Sequence, residues 1–468
     1  MFNLIKKLFN INKVSSLSIN QNNKDFYFLN DPSTPDLKSN INNIFIPQYM
    51  PFLVKDFDPR NYKLIRENDY RNLACFYTIS QMLNYYQNII YKIEQSKIKQ
   101  WFGNKPLFIQ PIYSSGLNAF YDRNSLLFCY KTSIFKKRTV YAVDSVDIVS
   151  HELGHAILDS LRPDFWNMQS LEIWSFHEAF ADVCAFINVT NNVNIIDRIF
   201  NETNGDLSKS NIATRIGEDL ASSTSLNKKY LRDISKEFEY INPSLINENY
   251  NLKKEPHDFS QIISSVWYHS LVEIFKIEKE DNKDNKFNNI QLFEYAKEEA
   301  FIALIKTVKS VPATDNFFSA FAKIFILNLK SKYKQYIQNL FEKRKIIKPQ
   351  IKMLSNKKLT LSDINLKYND VVLKNKSNSF FITKKKSNNI ISSFNEITSL
   401  SIDNKNEFFL KIPSDNFYYT ENSILIEEIL NNEEESIKEA FLCKKYIEEN
   451  KFENWTIDNK FLIRSKIN

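Results

Sequence analysis

The chain has 468 residues, 43% of them hydrophobic, with 62 basic and 55 acidic side chains and a net charge of +7. That supplies apolar material for two or three domains, and the charge is spread without the sustained basic block that grips nucleic acid, so no nucleic-acid partner is expected. Four distant cysteines, Cys75, Cys129, Cys184 and Cys443, indicate neither a disulfide framework nor a thiolate zinc knuckle, and the five glycines are few enough that each invites a reason.

Met1 to Asn12 has basic residues but no long apolar core, and no apolar run approaches the roughly 18 residues of a membrane span. The expectation is a chain without a transmembrane segment, cytoplasmic or exported without a classical signal peptide. Residues 1–66 read as an N-terminal extension of loops and short strands, with apolar patches at Phe26 to Leu29 and Ile44 to Ile46. From 68 to 100, Leu73, Phe76, Ile79, Met82, Leu83 and Ile89 recur at three- and four-residue steps and predict a long helix. Residues 106–113 and 117–131 read as strands around a turn at Ser114, Ser115 and Gly116, and Lys136 to Arg138 lead into another apolar stretch.

Between 145 and 345 helical periods dominate, broken by polar segments at 190–215, 222–256 and 279–287. After 348 come short alternating runs, such as Phe380 to Ile382 and Phe408 to Ile412, with a helix expected at 432–450. Residues 348–468 are therefore read as a separate, mostly β C-terminal domain of unassigned role.

The strongest chemical signal is His151, Glu152, Leu153, Gly154 and His155, set in the apolar period Val146, Ile148, Val149, Leu153, Ile157 and Leu158. Ser145 can cap this helix and Arg162 with Pro163 can end it. Two histidines four apart on one helical face can reach one cation, and Glu152 lies near that face where a zinc-bound water would sit. With five histidines in the chain, the expected number of chance HExxH matches is below about one in a hundred. A zinc site needs a third protein ligand, and Phe176 to Asp182 offers Glu178 on a second helix. Asp182, one turn on, can accept the other ring N–H of His151. His177 competes for the ligand role, but it is turned about 100° away and has no such partner at the same step. A metzincin would need a histidine six residues after His155, where Leu161 stands.

HExxH followed by a glutamate with an aspartate four residues later resembles the thermolysin family of zinc endopeptidases. The resemblance extends over about 68–345. Asn118, Ala119, Phe120 and Tyr121 look like the family's edge strand, so Asn118 and the Ala119 carbonyl would orient a peptide substrate. Ile216 to Asp219, then Leu231 and Arg232, are similar to segments whose arginine binds the substrate carbonyl beyond the scissile bond. His257 to Ser260 resembles the segment whose histidine stabilises the oxyanion. Ile148 and Leu231 fall where the family shapes an apolar pocket. The implied fold is α+β: a thermolysin-like catalytic core over 67–347, with a small β-sheet lobe and a mainly α-helical lobe, plus the C-terminal β domain. The implied activity is zinc-dependent hydrolysis of a peptide or protein substrate, with Glu152 as general base and acid.

The chain also departs from that pattern. It has no tyrosine between His155 and Glu178, and Leu252 stands where the family has an aspartate before the histidine, leaving Glu255 or Asp258 to orient His257. Asp147 and Glu218 match two family calcium ligands, but 190–215 shows no complement, so bound calcium is not expected. Two other readings stay open. One is a degenerate member that binds zinc or peptides without cleaving. The other is a structural protein with packed histidines, which leaves unexplained why all five histidines fall between 151 and 269.

Overall fold

The computed structural model describes residues 26–41, 43–45, 50–59, 67–94, 100–246, 250–314 and 316–348, together with strand segments at 16–18 and between 371 and 465. The chain is a mixed α+β protein. Helix α1 (Glu67–Glu94) follows the predicted helical period, and all six apolar residues that define it are buried. Ahead of it, β1 (Ser16–Ser18) pairs with β4 (Asn43–Phe45) and β2 (Phe26–Phe28) with β3 (Lys38–Asn40), both antiparallel. Strand β5 (Phe52–Val54), from the stretch read as an extension, joins β6 (Leu107–Gln110), β7 (Ala119–Tyr121) and β8 (Ser125–Phe128) in one sheet of order β5-β6-β8-β7. The first two pairings are parallel, while β7 is an antiparallel edge.

Within 117–131, which the sequence reads as strand, the structure has two breaks. Asp122 Oδ1 accepts the N–H groups of Asn124 (3.0 Å) and Ser125 (2.6 Å), which folds a tight turn with Arg123 at φ 71° between β7 and β8. The chain then leaves the sheet, and β9 (Tyr130–Ser133) pairs with β10 (Arg138–Tyr141) in a separate hairpin.

Helix α2 (Val146–Leu161) carries the HExxH segment and ends just before Arg162, as the sequence indicated. Its start differs from expectation. Ser145 occupies the cap position, but its hydroxyl donates to Asp31 Oδ2 (2.9 Å) rather than accepting from the helix. The neighbouring Asn30 carbonyl accepts the Val146 N–H (2.7 Å), so a distant segment satisfies the helix end. Helix α3 (Leu171–Val189) is apolar nearly all round and buried along most of its length, as a central helix must be.

Within the supposed polar break at 190–215 lies α4 (Val193–Thr203), capped by the Asn192 side chain and burying Ile195, Ile196 and Ile199. The apolar step of three and four residues is present there, though short. Next come α5 (Glu218–Thr224) and the two-residue ribbon of β11 (Arg215–Ile216) with β12 (Arg232–Asp233). Helix α6 (Pro256–Asp281) begins with proline in its first turn, where no N–H is missed, and Glu255 caps it. Helix α7 (Asn289–Ser310) opens with a capping box of Asn288 and Gln291, and α8 (Phe317–Asn328) and α9 (Ser331–Lys343) close the helical part. One apolar core runs from Leu29 through these helices to Ile346.

Toward the C-terminus, β13 (Val371–Lys376), β14 (Ser379–Lys384) and β15 (Ile390–Phe394) form an antiparallel sheet. β16 (Ser399–Ile402) pairs with β17 (Phe408–Lys411), and β20 (Phe461–Ser465) pairs with both β18 (Phe417–Tyr418) and β19 (Asn454–Asp458). The helix expected at 432–450 lies outside the described residues. Among the described residues no helix is long and apolar enough to cross a membrane.

Candidate metal centre

Helical spacing sets His151 and His155 one turn apart on α2, their ring centroids 4.9 Å from each other and their planes nearly perpendicular. What brings a carboxylate to them is the close contact of α2 with α3. Gly154 makes this possible: a Cβ there would sit 2.7 Å from the Ala181 Cα and 3.0 Å from the Cys184 Cβ. The absent side chain lets the two backbones approach, and Glu178 on α3 then faces both histidines. His151 Nε2 is 3.2 Å from Glu178 Oε2, and His155 Nε2 is 3.5 Å from Glu178 Oε1. One donor atom from each of His151, His155 and Glu178 lies within 4.8 Å of the others, the one such group among the described residues.

Around this group stand two further shells of side chains. Asp182, fully buried one turn after Glu178, places Oδ1 2.9 Å from His151 Nδ1. Arg232 on β12 donates Nε to Asp182 Oδ2 (2.8 Å) and Nη2 to Oδ1 (2.7 Å). His257, in the first turn of α6, sets Nε2 3.3 Å from Glu178 Oε2. Of the two acids left open as its partner, Glu255 is the one beside it: Oε2 lies 3.5 Å from His257 Nδ1 and accepts the His257 backbone N–H at 3.1 Å. Asp258 instead accepts the Lys253 N–H at 3.3 Å.

Burial by itself would raise the Glu178 carboxyl, but His257, His155 and His151 together hold it well below the ordinary carboxylate range. Asp182 is likewise opposed by burial and brought to about 2 by Arg232 and His151. The histidines divide. Burial lowers His151, yet Asp182 and Glu178 outweigh it and lift the ring to about 10, whereas burial carries His155 down to about 3. A buried carboxylate ringed by imidazoles is a donor set that suits a dication, whose binding would displace the proton on His151. Glu178 Oε2 points the same way: it is buried and accepts no aligned hydrogen bond, although two ring nitrogens stand close to it. The residues present fit a zinc ion held by His151, His155 and Glu178.

His177, the rival ligand, turns from the group. Its ring stacks at 6.1 Å on that of His155, inclined by 26°, and lies edge-on to Trp166 at 5.8 Å, and burial lowers it to about 4. Glu152 is buried on α2 between the two histidines. Asn118 and Ala119 lie not on these helices but at the start of β7, the sheet edge that packs along α2, with Asn118 Oδ1 accepting the Ala119 N–H at 2.9 Å.

No protein-family model matches this chain, and a search among curated proteins finds no match. The chemistry of the centre thus rests on its donors and their spacing.

Sequence reasoning does not find the part that four residues play. The sequence points Arg232 toward substrate, and its grip on Asp182 has no local signal, because 50 residues separate the two. Gly154 stands in the sequence only as part of the HExxH segment, with no sign of its contact with α3. Asn30 and Asp31, which hold the start of α2, lie in the stretch set aside as an extension. The rarity of glycine was the one available clue among these.

Proposed function

We propose that the chain is a zinc-dependent endopeptidase built like the thermolysin family, hydrolysing peptide or protein substrates. The observation that carries this reading is the convergence of His151, His155 and Glu178 donor atoms, with Glu152 between the two histidines in sequence on the same helix. Zinc, when bound, would supply the Lewis acidity that makes a water reactive near neutral pH and polarises a carbonyl.

The chain's own residues account for the remaining work. Glu152 takes a proton from the attacking water and returns it to the leaving amine. His257, beside Glu255 and with Nε2 toward the donor group, would stabilise the negative charge that builds on the carbonyl oxygen. Asp182 fixes which nitrogen of His151 faces inward, and Arg232 fixes Asp182. The edge strand β7, from Ala119, offers main-chain groups to an extended peptide, with Asn118 at its start, and the remaining guanidinium N–H groups of Arg232 serve a substrate carbonyl.

Zinc content by mass spectrometry, measured with cleavage of a quenched peptide library, tests the proposal on the native chain and Glu152→Ala. One zinc per chain, with cleavage that disappears in the variant, supports it. Zinc without cleavage in either protein would leave a binding protein of the same fold. A chain that takes up no zinc would end the reading.

A further inference from the structure

The β9–β10 hairpin carries an unusual tip. Its turn is held firmly: the Ser133 hydroxyl accepts the Lys136 N–H (3.1 Å) and donates to the Ser223 carbonyl at the end of α5 (2.7 Å), and Lys137 closes the turn at φ 52°. A polar or glycine-containing turn would serve this backbone. Instead the tip presents Ile134, 79% exposed, and Phe135, 40% exposed. The loop that follows α5 presents a second apolar tip, Leu226, 78% exposed, and the Ser133–Ser223 hydrogen bond keeps the two loops side by side.

Charge around both tips has one sign. Lys131, Lys137 and Arg138 on the hairpin and Lys228 and Lys229 on the loop are exposed, and Lys136 is half-buried. Neither 130–138 nor 222–232 contains an acid. Asp219 is fully buried and is bound by Arg138 at 2.5 Å and Lys136 at 3.5 Å.

We propose that these two tips and their lysines form a docking surface for an anionic phospholipid bilayer. Two small, exposed apolar tips on separate loops fit a headgroup layer, which yields around protrusions, better than a protein partner, which needs one contiguous face. The lysines supply attraction to the negative surface, each worth about fivefold in partitioning. The side chains involved take no part in the metal centre, so this proposal stands or falls apart from the peptidase reading.

Co-sedimentation of the full chain with vesicles tests it. We expect binding to phosphatidylcholine vesicles containing about 30% phosphatidylserine, weak binding to phosphatidylcholine alone, and loss of binding as salt rises from about 0.1 to about 0.5 M. Lys228→Glu with Lys229→Glu should weaken partitioning by about twentyfold or more, and Ile134→Ser with Phe135→Ser by about tenfold or more. Phe135→Trp should shift its emission to the blue on the anionic vesicles. Equal binding to both vesicle types, variants that bind like the parent, or unshifted tryptophan emission would overturn the proposal. So would full competition by inorganic phosphate, which would mark a phosphate site, or binding to polyglutamate without binding to vesicles, which would mark an acidic protein partner.

Discussion

Arg232 meets Asp182 in two parallel hydrogen bonds, Nε to Oδ2 at 2.8 Å and Nη2 to Oδ1 at 2.7 Å, with both side chains buried. The same Asp182 Oδ1 lies 2.9 Å from His151 Nδ1, so the arginine reaches the candidate metal centre through the aspartate. Arg232→Met strands a buried carboxylate and is expected to cost about 3–5 kcal/mol of stability. Asp182→Asn should lower zinc affinity about 10–100-fold. Denaturant unfolding of the single and double variants reads the coupling, and additive effects would show that the pair is not a unit.

Gly154 sets the distance between the helices that carry the histidines and Glu178. Gly154→Ala places a methyl against the Ala181 backbone, which cannot rotate away. The helices must separate, with an expected loss of about 1–3 kcal/mol and weaker zinc retention. Thermal unfolding and zinc competition with a chelator check this; an alanine variant with unchanged midpoint and affinity would show that the contact is not limiting.

His257 can be tested apart from metal binding, because it is not in the convergent donor group. His257→Ala should reduce kcat about 10²–10³-fold with KM little changed and zinc retained. An unaltered kcat would remove the residue from the catalytic assignment.

Asp147 gives a prediction in pH. Burial, with Asp31 nearby, raises its carboxyl well above the ordinary value of 3.8. A carboxyl raised in the folded state holds its proton more tightly when folded. Its contribution is therefore fully present below the unfolded value and is lost as pH rises through the folded one. Asp147→Asn removes that loss but gives up one of the two backbone hydrogen bonds the carboxylate accepts, from Ile148 and Gly217. The midpoint of the variant relative to the native chain should rise steadily as pH is increased from about 4 upward. A difference independent of pH would refute the assignment.

The chain's local periods were readable without coordinates. One turn separates His151 from His155 and Glu178 from Asp182, and an α-helix converts each spacing into a shared face, so the residues that converge in the structure could be grouped from residue order. Helix α1 was legible for the same reason, since its buried residues repeat at the helical step. A short helix such as α4 carries too few repeats for its period to stand out among asparagines, and the Asp122 turn depends on one side chain reaching two backbone N–H groups.

Tertiary structure decided which distant groups meet. The approach of α2 and α3 at Gly154, the hold of Arg232 on Asp182, the choice of Glu255 over Asp258 beside His257, and the tie of the start of α2 to the Asn30 carbonyl and of Ser145 to Asp31 join segments that can be more than 100 residues apart. The period of a helix is set by its own backbone, and so it is written locally in the sequence. Contacts between elements are set by how whole faces pack, and no single stretch of sequence records that.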